Sequence, residues 1–282
     1  MNRTALLPLL ASLLHLSPLL AAPADIGVIS AAEKPVQLLR ATSVYQASAG
    51  TRLQSADYLE AGSTGVLIDQ LAGTRIALGP HTRLYLEHTG NTTHLNLLQG
   101  WLKLQPLSGV PQGNLRVSTA NLALDASKAA SVIHADDSGT EVFVEDGMVS
   151  VRDPGQKPRD PARRVLRREE FAQAKGQGPV SAPGRPSGDF IGAMPPAFFD
   201  PLPSVAARKL AVDPLNKLRE ASFADASPLL LGPLKLNGAS LATRFTPRLA
   251  DPAFRQAIVQ RFGGTLDWET ALYRFERKNA TR

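Results

Sequence analysis

The sequence predicts a mainly β protein: a compact all-β roll or solenoid-like module of short strands, then a Pro/Gly-rich linker, then a small, mostly α-helical C-terminal region. Three observations carry that prediction. Between Gly65 and Val151 nearly every apolar residue falls into an apolar-any-apolar doublet, the pattern that one buried face of a strand requires. Turn-forming stretches interrupt the doublets at intervals of roughly ten residues, as in all-β domains. From Phe190 onward the apolar period becomes helical, with Asp-Pro pairs placed as helix starts.

The chain opens with Arg3, an apolar run from Ala5 to Leu20, and small residues at Ala21, Ala22 and Ala24. Charge, apolar stretch and small residues in that order predict a secretory signal peptide over residues 1–24, cut after Ala24. A retained anchor fits less well, because the run is short for a span of about 20 residues and contains Pro8, His15 and Pro18. No other segment is long and apolar enough to cross a bilayer. The expected mature chain is therefore periplasmic or secreted. With no cysteine in 282 residues, thiol catalysis, thiolate metal sites and disulfides are excluded.

Residues 25–152 form the expected β module. Val36-Gln-Leu38 and Val44-Tyr45 predict one or two lead-in strands. The doublets then follow as Ile76/Leu78, Leu84/Leu86, Leu95/Leu97, Leu102/Leu104, Leu115/Val117, Leu122/Leu124, Val142/Val144 and Val149/Val151. Between them lie Gly79-Pro80, Gly90-Asn91, Ser108-Gly109, Asp136-Asp137-Ser138-Gly139 and Asp146-Gly147. Alternation alone does not separate a roll from a sandwich.

The run from Leu53 through Asp57, Gly62 and Gly65 to Ile68 belongs to a wider pattern. It continues in Ala72-Gly73-Thr-Arg-Ile76-Ala-Leu78-Gly79-Pro80 and Leu97-Leu-Gln-Gly100-Trp-Leu102-Lys-Leu104, then in Leu115-Arg-Val117-Ser-Thr119 and Val142-Phe-Val144-Glu-Asp-Gly147-Met-Val149. Over about residues 36–152 this resembles a FecR domain. The resemblance implies a periplasmic all-β roll that works through protein contacts, best known from regulators relaying an outer-membrane transporter signal to a cytoplasmic sigma factor. Two departures qualify it. Asp125-Ala-Ser-Lys-Ala129 stands where many members have Gly-Thr, and the chain shows no cytoplasmic anti-sigma segment with a membrane helix. The glycines of the two strand-Gly-strand units, Gly100 and Gly147, have a physical reading as sharp turns that need φ > 0.

Residues 153–189 read as a linker, since Pro and Gly flank the basic segment Arg163-Arg-Val-Leu-Arg-Arg168. Such an arginine run predicts a solvated face, and an exported chain is not expected to meet nucleic acid. The charge is uneven: residues 25–150 hold 8 Lys and Arg against 12 Asp and Glu, whereas residues 151–282 hold 22 against 13. The asymmetry suits either two regions that dock on each other or a basic tail that faces an anionic surface. Within the helical region 190–282, Asp213-Pro214 and Asp251-Pro252 predict helix starts. Phe254, Ile258 and Phe262 share one face before Gly263-Gly264, and residues 267–275 predict a last helix. The expected arrangement is a helical cap packed on the β module or a loosely tethered tail, ahead of an independent functional domain.

Chemistry is sparse. His81 and His88 are seven apart and would face opposite ways on one strand, and His94 adds no paired spacing, so no metal site is expected. No Gly-x-Ser-x-Gly, no plausible Ser-x-x-Lys and no Gly-rich phosphate loop occurs. The expectation is a non-enzymatic protein without cofactor. If the doublets point inward, the residues between them point outward, which marks Tyr85, His94, Trp101 and Arg116 as candidate contact residues, with Asn96 and Lys103 beside them. Aromatics among basic and amide groups suit a protein edge or a sugar polymer. The first expectation is an interaction or signalling module with a protein partner in the bacterial cell envelope. The alternative is a binder of cell-wall polysaccharide or peptidoglycan, and a third reading, regulation of sigma-factor-linked metal uptake, follows from the resemblance alone.

Overall fold

The computed structural model describes residues 24–154, 163–176, 178–204 and 215–280, so the expected signal peptide up to residue 23 and the Asp213-Pro214 helix start lie outside the described residues. The first strands are β1 (Asp25–Ala32), β2 (Val36–Arg40), β3 (Ser43–Ala47), β4 (Arg52–Gln54), β5 (Tyr58–Glu60), β6 (Val66–Leu71), β7 (Thr74–Leu78), β8 (Arg83–Thr89) and the long β9 (Thr92–Pro106). After them come β10 (Asn114–Ser118), β11 (Ala123–Asp125), β12 (Ala130–Asp136), β13 (Gly139–Asp146), β14 (Met148–Arg152), β15 (Arg164–Arg167), β16 (Phe171–Lys175) and β17 (Asn216–Glu220). The protein is mainly β, as the sequence predicts.

All these strands join one hydrogen-bonded sheet that curls until its two halves face each other. In the first half the order is β4-β1-β6-β7-β9-β12-β13-β16. In the second it is β17-β3-β2-β5-β8-β9-β10-β11-β14-β15. Neighbours are antiparallel except β10, which lies parallel to β9. Strand β9 belongs to both halves and turns from one to the other at Gly100, whose φ is 97°. The chain repeats the move between β13 and β14 at Gly147, with φ of 82°. Both strand-Gly-strand units are therefore corners of the roll. At the first, the buried Thr82 replaces the interrupted ladder: its Oγ1 accepts from the Trp101 N–H at 3.0 Å and donates to the Trp101 carbonyl at 3.1 Å.

Every doublet points into the space between the halves. Ile76, Leu78, Leu84, Leu86, Leu95, Leu97, Leu102, Leu104, Leu115 and Val117 belong to one buried cluster, joined by Leu122, Leu124, Val142, Val144, Val149 and Val151. Period-2 patterning thus sets the register, since a one-residue slip would place these side chains outside.

Two strands lie within the region expected as a linker. Strand β15 pairs with β14, and β16 pairs with β13, its Phe171 and Ala172 opposite Phe143 and Val142. The C-terminal region also holds a strand, β17, at the edge beside β3. Its helices are α1 (Gly188–Ala193), α2 (Phe223–Leu231), α3 (Gly238–Phe245), α4 (Pro252–Phe262) and α5 (Leu266–Ala280). Asp251 caps α4 by accepting from the Ala253 N–H at 2.9 Å, and Gly263 ends it, as the sequence predicts.

Two pieces of this region cover the outside of the roll. A strap from α1 to Leu202 lies on the first half, where Phe190, Met194, Phe198 and Leu202 bury Leu67, Ala77, Trp101, Val132 and Phe171. Burying a side chain such as Phe190 is worth roughly 1.5–3 kcal/mol. Helices α2–α5 lie on the second half, where Ala226, Leu241, Phe245, Leu249, Phe254, Ile258 and Trp268 bury Leu39, Val44, Tyr58 and Tyr85.

Candidate functional site

The outward parity of the candidate residues is as expected, but Tyr85 and Trp101 are not free. Tyr85 is 4% exposed under the helices, and Trp101 is 8% exposed beneath the strap. The Trp101 ring stacks on His134 with centroids 4.2 Å apart and meets Phe190 at 5.2 Å. Lys103, also expected outward, is buried: its ammonium donates to Glu145 Oε1 at 2.7 Å, to the Phe198 carbonyl at 2.7 Å and to the Asp200 carbonyl at 3.0 Å. These residues face away from the core, and the C-terminal region forms a second apolar layer over them. As contact residues, Tyr85 and Trp101 are therefore corrected to core.

His94 and Arg116 remain at the surface, and β9 and β10 bring them together as register partners. The sheet places two rows of side chains across its outer face here. One row runs Glu87, His94, Arg116, Asp125, Ser150; the next runs Tyr85, Asn96, Ser118, Ala123, Arg152. Small side chains at Ser118 and Ala123 leave a groove between the larger ones. His94, Asn96, Arg116, Arg152, Leu234 and Lys235 line its inner part, of about 210 Å³. It continues past Asn121, Pro154, Pro179, Pro233 and Leu234 into a wider part of about 870 Å³. Leu234 and Lys235 come from the connection between α2 and α3, so the helical cover forms one wall.

The inner groove is basic. Its ionisable lining groups are His94, Arg116, Arg152 and Lys235, with no carboxylate among the lining residues described. Among the described residues none of the three long cations makes a salt bridge. Burial lowers the Arg152 pKa, the like charge of Arg116 lowers it further, and Asp125 opposes them only in part. Burial and then Arg116 also lower the His94 pKa, against the pull of Glu87. The neighbouring acids are engaged locally: Glu87 accepts from Asn96 Nδ2 at 2.8 Å, and Asp125 accepts from Ser127 Oγ at 2.9 Å. Two guanidiniums and an ammonium around a small-residue floor can hold an anion by charge-assisted hydrogen bonds.

Sequence reading missed Arg152 and Lys235. Arg152 follows Val149 and Val151 with outward parity, so the doublet rule could have placed it on this face. Lys235 lies in a helix connection whose position depends on tertiary packing. His81, His88 and His94 do not converge, and no cluster of three potential metal-ligating side chains occurs among the described residues.

No protein-family model and no curated protein sequence matches this chain. Among solved structures it is similar to two crystal structures described as an anti-sigma factor candidate from Parabacteroides distasonis ATCC 8503. They were determined at 2.50 and 1.65 Å, with 15% and 16% sequence identity and a TM-score of 0.37 for each. Each match covers 44% of this chain and 57% of the other. At that TM-score and identity the likeness carries no weight for fold or role.

Proposed function

We propose that this chain is a non-enzymatic, exported interaction and signalling module of the bacterial cell envelope, a FecR-like roll that binds a protein partner. The observation that supports it best is where the cover stops. Strap and helices seal much of the outer surface of both halves with apolar contacts. Beyond Leu98 and Leu234, no described residue covers the outer face of β9, β10, β11 and β14, where Arg116, Arg152 and Lys235 make no salt bridge among the described residues. An uncovered polar groove on a rigid scaffold suits recognition better than turnover. Among the described residues no hydroxyl hydrogen-bonds to His94, and Thr119 Oγ1 is occupied by Thr140 at 2.8 Å, so no assembled nucleophile and base faces the groove. Periplasmic or secreted placement is supported by the charge, apolar run and small residues of 1–24.

Polysaccharide binding has less support, since the aromatic rings that would stack on sugars, Tyr85 and Trp101, are buried. The test is affinity capture of the tagged chain from envelope extract after cross-linking, with mass spectrometry. The expected result is a protein recovered in near-stoichiometric amount. Recovery of none, with co-sedimentation on purified cell wall instead, would overturn the reading.

A further inference from the structure

We infer that the groove over β9, β10, β11 and β14 is a carboxylate-binding site that takes an acidic peptide segment, the carboxylates lying between Arg116, Arg152 and Lys235. This rests on the reading of the chain as a protein-interaction module and names the chemistry of its partner. Three features carry it. First, the inner lining is basic at His94, Arg116, Arg152 and Lys235, and register sets Arg116 and Arg152 on adjacent rows two strands apart, with Ser118, Ala123 and Ser150 as small neighbours and Asp125 offsetting their charge only in part. An anionic ligand removes the repulsion between those cations. Second, two planar guanidinium forks match the two oxygens of a carboxylate in a way that a point charge does not.

Third, the groove widens past Asp153 and Lys235 against Pro154, Pro179, Pro233 and Leu234, whose apolar surface suits the side chains that flank an acidic residue in a peptide. Among the described residues no aromatic side chain lines either part, which gives a uronic acid ring no described surface to stack on. The inner part, about 210 Å³, has room for a Glu or Asp side chain with its neighbouring backbone, and the outer part, about 870 Å³, for several residues more.

The experiment is fluorescence anisotropy with the full chain and a labelled decapeptide alternating Glu and Leu, against the same peptide with Gln for Glu. Oligogalacturonate and inorganic phosphate serve as competitors at equal charge. Binding of the Glu peptide that weakens with salt, and falls on the order of tenfold or more for R116Q and for R152Q, is the expected result. S118E supplies the groove with its own carboxylate and should abolish binding while leaving the far-ultraviolet circular dichroism unchanged. This second variant keeps the test decisive if an arginine variant folds poorly. Equal binding of the Gln peptide, indifference to all three substitutions, or displacement by oligogalacturonate or phosphate as effective as by unlabelled Glu peptide would overturn the inference. A partner captured from envelope extract equally well by wild type and S118E would remove the groove from the account and leave the interaction reading in place.

Discussion

Replacing Lys103 by Met tests how the strap is held. The ammonium has three donors, and the structure uses them on Glu145, the Phe198 carbonyl and the Asp200 carbonyl. Methionine refills most of the volume, so the cost comes chiefly from the acceptors left behind. A buried carbonyl without a donor costs about 1–3 kcal/mol. The Phe198 carbonyl makes a fully buried contact, while that of Asp200 is partly buried and regains water in part. Glu145 keeps 26% of its side chain exposed, so solvent screens its loss. The sum is about 2–4 kcal/mol, or roughly 5–10 °C in melting temperature for a chain of this size. Thermal melting followed by circular dichroism measures the total. Hydrogen exchange over Phe190–Leu202 should show amide protection lost there first. E145Q alone leaves the buried ammonium without its carboxylate and should itself cost about 1–3 kcal/mol, but with strap protection kept, because both carbonyls retain their donor. A K103M protein within about 0.5 kcal/mol of wild type, with strap protection unchanged, would refute this account of the latch.

Three further outcomes are expected. Arg244 fastens α3 to the roll by donating to the carbonyls of Ala41 at 2.7 Å, Ala56 at 2.8 Å and Leu39 at 3.1 Å. R244A should therefore lower stability in urea by about 2–4 kcal/mol, and R244K should recover less than half. G100A adds a Cβ that would meet Thr82 Oγ1 at 2.5 Å and its Cα at 2.7 Å, at a φ of 97°, so it should cost about 3 kcal/mol or more in the same assay. Burial pushes the Asp225 carboxyl up, but hydrogen bonds from Arg219 and Ser222 outweigh that and hold it at about 2 against an ordinary 3.8. Because the folded value is the lower one, its stabilisation is complete above 3.8 and is lost as pH falls from about 4 toward 2. After allowance for the exposed Arg219, that is about 1 kcal/mol, measurable as a difference in acid unfolding between wild type and D225N.

How much of this could be read from the sequence depended on how much of each pattern is local. The doublets are local and found the interior seam, including the corners at Gly100 and Gly147, where a left-handed φ leaves a visible glycine. Outward parity was equally legible, but what lies over an outward residue is decided by distant chain: Phe190 for Trp101, and α3–α5 for Tyr85. The basic stretch passed for a linker because β15 buries only Leu166, and β16 presents small alanines at 172 and 174. Helix α2 does carry a signal, the Ser222-x-x-Asp225 capping box, and α3 an Asn237 cap, neither of them reinforced by a proline at the first helical position as Asp251-Pro252 is. In the groove, His94 and Arg116 followed from alternation, Arg152 would have followed had the parity been carried one residue past Val151, and Lys235 needed the packed helices.

The central claim, that this roll works by holding a protein at its uncovered groove, is tested most directly by photo-cross-linking in living cells. A benzophenone amino acid at Pro233, on the exposed groove wall, removes no charge from the site, and a control at Leu266, 77% exposed on α5, samples surface away from the groove lining. Discrete protein adducts from position 233 that vanish with S118E, and none of the same mass from 266, are the predicted result. The claim is contradicted if ultraviolet light yields no protein adduct from 233, or the same adducts from both positions.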